Sequence, residues 1–136
     1  MFNVVLYASD VWTWADDLAE MSADARAEVT EYVEEVGAVG GTNIYGALER
    51  AFDLAGAGAG DEGDWSDPEI DTIYLLTSGE PEVGLYVHGN RISEFLAELN
   101  RFQKVTVHAV AYSPQGFWHH ISQIAAVTGG EFQGFQ

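Results

Sequence analysis

The sequence predicts an α/β sandwich: three layers around a largely parallel central sheet, with one antiparallel edge strand. Three observations predict it. Short, nearly continuous apolar runs (FNVVLYA, TIYLLT, VTVHAVAY) read as strands covered on both faces. Stretches with apolar residues at helical spacing lie between them. Strand and helix alternate along the chain, which is the pattern of a parallel sheet. The 136 residues suit one domain, and 47% hydrophobic content supplies a core.

The first strand spans Phe2 to Ala8. Ser9-Asp10 turns the chain into a short second strand, Val11 to Trp14, antiparallel to the first and at the sheet edge. Trp12 and Trp14 fall on one face of it, either core or contact patch. Ser22 to Val36 is a helix, capped by Ser22 and ended by Gly37, with Val29, Tyr32, Val33 and Val36 facing inward. Its other face carries Asp24, Glu28, Glu31, Glu34 and Glu35. Gly40-Gly41-Thr42-Asn43 breaks the chain before a helix that runs to about Ala55, with Ile44, Ala47, Leu48 and Ala51 on one face.

Gly56 to Glu69 is Gly-rich, acidic and closed by Pro68, the composition of a surface insertion; its acids lack EF-hand spacing. Asp71 to Thr77 is the third strand, and it stops at Ser-Gly-Glu-Pro. A helix from Asn90 to Phe102 turns Ile92, Phe95, Leu96, Leu99 and Phe102 inward. Val105 to Tyr112 is the fourth strand, Phe117 to Thr128 a helix stopped by Gly129-Gly130, and Glu131 to Phe135 a short last strand.

Charge excludes several functions. There are 22 acidic residues against 5 basic ones, a formal charge of −17. Nucleic acid and anionic membrane surfaces both need basic partners, so neither is expected. Cation binding, a basic protein partner or adaptation to high salt would each account for the acidity, as would a solvated surface that aids solubility. No cysteine is present, which removes thiol catalysis, disulfides and zinc–thiolate sites. The chain shows no signal peptide and no transmembrane run; the compartment is left open.

Ligands of parallel sheets sit beyond the carboxyl ends of the strands, where Gly40–Asn43 and Ser78–Gly84 compete for the place. The stretches GGTNIYGALERAF, DTIYLLTSGEP, VTVHAVAY and ISQIAAVTGGEF, in this order and spacing, resemble the von Willebrand factor A domain. The closest flavour is that of inter-alpha-trypsin-inhibitor heavy chains and bacterial relatives. The resemblance implies a Rossmann-type fold with one antiparallel edge strand, matched by Val11–Trp14. It also implies a metal-ion-dependent adhesion site with oxygen ligands from three loops: an Asp-x-Ser-x-Ser, a Thr before a middle helix, and the Asp of Leu-Thr-Asp-Gly. Thr42 matches the Thr. Ser78 stands where the Asp belongs, and Asp-x-Ser-x-Ser is absent. The family's first strand, first helix and final helix also have no counterpart. The expectation is therefore a single, truncated or divergent domain over residues 1–136, a fragment or misassigned start, with two strand edges left open. Those edges pair directly, take a strand from another chain, or mediate a homodimer.

Each candidate residue has a plainer role beside the functional one. Thr42 serves as a helix N-cap or as a metal ligand. Ser78 is a turn residue before Gly79, or a weak ligand that adds no charge to offset a hard cation. Glu80 and Glu82 can lend charge; Asp10 is a weaker candidate. A degenerate site follows, holding Mg²⁺ or Ca²⁺ weakly if at all, with no other cofactor. Gly40-Gly41-Thr42 lacks the Lys of a phosphate loop, and the acidity around it repels phosphate. His119 and His120 are adjacent rather than at the spacing of a metal pair; His88 and His108 are isolated. No Gly-x-Ser-x-Gly elbow is present, so no enzyme is expected. The reading is a non-enzymatic, adhesion-type interaction domain. Gly40, Gly41, Asn43, Gly79 and Glu80 would form the partner loops, and the partner would be a protein with a basic surface. The alternative is a small-ligand or nucleotide-binding α/β domain.

Overall fold

Val5–Tyr7 (β1) and Val11–Thr13 (β2) form an antiparallel hairpin in which Tyr7 faces Val11 and Val5 faces Thr13. A computed structural model describes residues 1–37, 40–56, 69–101, 105–112 and 118–136. Most of the expected Gly56–Glu69 insertion lies outside them, as do the expected helix-end residues Phe102 and Phe117. β1 is shorter than the apolar run because Asn3 leaves the ladder. Its side-chain amide donates to the carbonyls of Ala15 and Asp17, both at 2.9 Å. Phe2 pairs instead with Ala19 and stacks on Trp14 at 5.3 Å.

Helix α1 (Ala23–Glu35) starts as expected: Ser22 Oγ accepts from the Ala25 amide at 3.0 Å. It ends at Val36, whose backbone is already extended, and not at Gly37. None of its residues is buried. Val33 and Val36 border a small hollow beside Leu6 and Trp12, of about 230 Å³. The end of α1 thus lies beside the hairpin.

The second helix layer is well packed. Helix α2 (Ile44–Leu54) buries Ile44, Tyr45, Ala47, Leu48 and Phe52. Helix α3 (Gly89–Leu99) buries Ile92, Leu96 and Leu99, and α4 (Trp118–Val127) buries Ile121, Ile124 and Ala125. They cover one face of a parallel sheet in the order Thr72–Thr77 (β3), Thr106–Tyr112 (β4), Phe132–Phe135 (β5). From it Leu75, Val107, Ala109 and Ala111 complete the core. Each large side chain buried here contributes about 1.5–3 kcal/mol. Gly130 passes so close to the Val107 carbonyl that a β-carbon would collide with it. Its lack of a side chain lets β5 enter the sheet.

The five strands do not make one sheet. The hairpin and the three-stranded sheet are separate, and β1 does not pair with β3. Direct pairing of the two open edges, one of the expectations above, does not occur. The opposite face of the three-stranded sheet carries exposed Tyr74, Leu76, Tyr112 and Phe135.

Candidate functional site

The loops at the carboxyl ends of β1, α1 and β3 meet, and backbone bonds hold them together. The Asn43 amide donates to the Ala8 carbonyl at 2.9 Å, and the Glu82 amide to the Thr42 carbonyl at 2.9 Å. The Gly41 amide donates to Ser9 Oγ at 2.9 Å. Three chain segments distant in sequence are thus fixed against each other: 8–10, 40–43 and 78–84.

Gly40 needs its glycine. Its φ is +90°, and Ser9 Oγ stands where a β-carbon would point. Gly84 has φ +110° and backs onto the Asn43 side chain.

The helix cap is not Thr42. Asn43 caps α2, its Oδ1 accepting from the Gly46 amide at 2.9 Å, while its Nδ2 donates to the Ser9 carbonyl at 3.2 Å. Asn fills the cap as well as Thr does, and the sequence offers both side by side. Asn43 is therefore a brace of the cluster. The cap role proposed for Thr42 falls away, and its hydroxyl lies next to Gly79: a β-carbon there would sit 3.4 Å from Thr42 Oγ1. At the end of β3, Thr77 Oγ1 donates to the Gly79 carbonyl at 3.1 Å, which shapes the Ser78-Gly79 turn. Ser78 itself is exposed, as are Glu80, Glu82 and Asp10.

The two positions that match the family's ligands, Thr42 and Ser78, offer neutral hydroxyls, while the carboxylates of the cluster belong to Asp10, Glu80 and Glu82. Among the described residues, no group of three or more His, Asp or Glu is placed to hold a metal. A hard divalent cation needs several oxygens, carboxylates foremost, to offset its charge. Thr42 and Ser78 by themselves do not supply that charge.

The histidines lie elsewhere. His108 Nδ1 accepts from the Glu131 amide at 3.2 Å, and its ring stacks on Tyr74. His119 and His120 have ring centroids 5.7 Å apart, tilted by 57°.

Below the loops a cavity of about 1120 Å³ separates the hairpin from the larger sheet. Its walls are the free edges of β1 and β3, and its floor includes Ala47, Leu48 and Ala51 of α2. Sequence reasoning foresaw open edges but not a space of this size between them. Tyr7 crosses it, its hydroxyl donating to the Leu76 carbonyl at 2.7 Å. Burial raises the Tyr7 phenol above its ordinary pKa.

The whole chain superposes on a solved von Willebrand factor type A structure from Catenulispora acidiphila. The TM-score is 0.71 with 19% identity, over 99% of this chain and 29% of that one. The chain has a von Willebrand factor A fold. A second solved structure, proximal thread matrix protein 1 from the mussel byssus, matches with a TM-score of 0.65 and 19% identity, over 97% of this chain and 31% of the other.

Curated sequences agree. Von Willebrand factor A domain-containing protein 3B of Homo sapiens is 26% identical over 133 residues, 96% of this chain. Inter-alpha-trypsin inhibitor heavy chain H2 of Mus musculus is 34% identical over 83 residues, 61% of this chain. The chain spans 9% of the length of each of these two relatives. No protein-family model matches it. No described helix is long and apolar enough to cross a membrane.

Proposed function

We propose that this A-type domain is a non-enzymatic protein-interaction module whose loop cluster, Gly40–Asn43 with Ser78–Gly84, meets a partner with a basic surface. The observation that carries the reading is the combination of braced backbone and free charge. The three loops are tied by main-chain bonds, while the carboxylates of Asp10, Glu80 and Glu82 stand exposed. A preformed surface loses little entropy on binding, and its negative field speeds encounter with a positive partner. The similarity to von Willebrand factor A proteins and inhibitor heavy chains supports an interaction role. With a neutral donor set at Thr42 and Ser78, the contact would not depend on a resident cation.

Peptide display against the immobilised domain tests this. Enriched binders should be basic, and Glu80→Ala with Glu82→Ala should weaken them together with rising salt. Binders indifferent to both the substitutions and salt would refute the loop assignment. The cavity makes a small-ligand reading worth one arm of the same study. A nucleotide that raised the melting temperature would favour that reading instead.

A further inference from the structure

We infer that Leu85, with Val87 two residues on, is the apolar anchor of the loop cluster. The partner it fits is a protein surface with an apolar socket rimmed by lysine or arginine. This deepens the loop reading above, on which it rests: charge brings the partner in, and Leu85 holds it.

From Ser78 to His88 the chain sorts its side chains. Pro81 is buried, and Val83 and Tyr86 are half-buried. Glu80, Glu82, Leu85 and Val87 are exposed. Leu85 is 71% exposed, more than any other large apolar side chain among the described residues. The inward groups hold the segment in place. Val83 lies against Gly41, 3.2 Å from where a β-carbon would stand. The Glu82 amide donates to the Thr42 carbonyl. Gly84, at φ +110°, backs onto Asn43. The Tyr86 ring meets Tyr45 edge-on at 5.0 Å and Phe95 at 6.2 Å. Both neighbours of Leu85 are thus fixed, and its side chain is held out on a braced loop.

Single exposed leucines are common and usually silent. Position separates this one. Tyr74, Leu76, Tyr112 and Phe135 share the bare sheet face, while Trp12, Val33 and Val36 border the hollow or the exposed side of the hairpin. Leu85 and Val87 line neither that hollow nor the cavity between β1 and β3. Their segment leans on Tyr45 of α2 and Phe95 of α3, on the packed side of the sheet. A layer added over the bare face or the open edges would not cover them.

The chemistry of the partner follows from what stands next to the anchor. Three residues of chain span at most about 10 Å, so Glu82 and Leu85 belong to one small patch. An interface built on it has an apolar centre and a charged rim. Leu85 calls for apolar or aromatic side chains opposite, and the carboxylates of Glu80 and Glu82 call for cations beside them. A nucleotide or a free anion offers the wrong charge and no socket.

The probes are two short synthetic peptides, one alternating lysine with tryptophan and one alternating lysine with glycine. They are titrated into the whole chain and read by methyl NMR. The tryptophan peptide should bind about tenfold more tightly, the lower end of what burying one leucine is worth, and should move the Leu85 and Val87 methyl signals. Leu85→Ser, on an exposed loop, should remove that preference. Glu80→Gln with Glu82→Gln should weaken both peptides. Leu76→Ser, on the bare sheet face, should change neither. Equal binding of the two peptides, or a preference that survives Leu85→Ser, overturns the inference; the loop reading then stands if the glutamate substitutions still weaken binding. A preference removed by Leu76→Ser puts the tryptophans on the sheet face and overturns the inference as well. If neither peptide binds, the loop reading falls and the inference with it.

Discussion

Replacing Asn100 by Ala probes how β4 is set into the sheet. Asn100 is 5% exposed and Val105 1%. The Asn100 Nδ2 donates to the Val105 carbonyl at 2.6 Å, and the Val105 amide donates back to Asn100 Oδ1 at 3.0 Å. The pair holds the end of α3 against the start of β4, one residue before the parallel register of Thr72 with Thr106 begins. Truncation leaves a buried amide and a buried carbonyl without partners, each worth about 1–3 kcal/mol. A loss of about 3 kcal/mol follows, allowing for some relaxation, which in a chain of 136 residues lowers the melting temperature by about 10 °C. Urea denaturation followed by circular dichroism measures it. Asn100→Asp separates geometry from size. It keeps Oδ1 but turns an acceptor toward the Val105 carbonyl, so it should be worse than Ala at neutral pH. It should recover as acid protonates the carboxyl and restores a donor. The reasoning is refuted if Asn100→Ala stays within about 0.5 kcal/mol of the parent.

Other outcomes follow from the same packing. Gly130→Ala should destabilise the domain by about 2 kcal/mol or more, because its β-carbon meets the Val107 backbone and not a movable side chain; a neutral result in thermal melts would mean that β5 can shift. Alkaline pH should unfold the domain. The Tyr45 phenol is raised by burial and then by Glu49, which accepts its hydrogen bond at 2.7 Å, and burial raises Tyr7 as well. Both phenols stay protonated in the folded state above the pH, about 10, at which a free tyrosine ionises. Their contribution is whole below that pH and declines as pH rises beyond it. Denaturation midpoints should therefore fall above about pH 10, and less steeply in Tyr45→Phe; an unchanged slope in that variant would contradict the assignment.

Local signals made much of the fold legible. Ser22 caps α1, and the spacing of Ile92, Leu96 and Leu99 gave the buried face of α3. The apolar runs TIYLLT and VTVHAVAY located β3 and β4, but the expectation that both faces are covered fails: Val107, Ala109 and Ala111 are buried while Tyr74, Leu76 and Tyr112 are exposed, because no described helix packs on that face. What escaped depends on contacts between distant segments. Tyr45 and Phe52 join the buried face of α2 because α3 packs beside it, with Phe95 4.7 Å from Tyr45. The Asn100–Val105 clamp carries no pattern in the sequence. Helix α1 has inward-facing residues at the right spacing, yet none is buried. Periodicity reports which face is apolar, not what lies opposite it. At the site, the loops were found from strand ends and glycines, but the exchange of roles between Thr42 and Asn43 was not. Two adjacent residues with cap-forming side chains look alike until the Gly46 amide is located.

An interaction domain whose loop cluster works without a tightly held cation should bind divalent metal only weakly. Isothermal titration of the metal-free chain with Mg²⁺ and Mn²⁺, alongside Ser78→Asp, tests it most directly. The account predicts no saturable binding below about 1 mM in the unaltered chain, and tighter binding once Ser78→Asp adds a carboxylate beside Thr42. Micromolar binding by the unaltered chain that Thr42→Ala abolishes would contradict it.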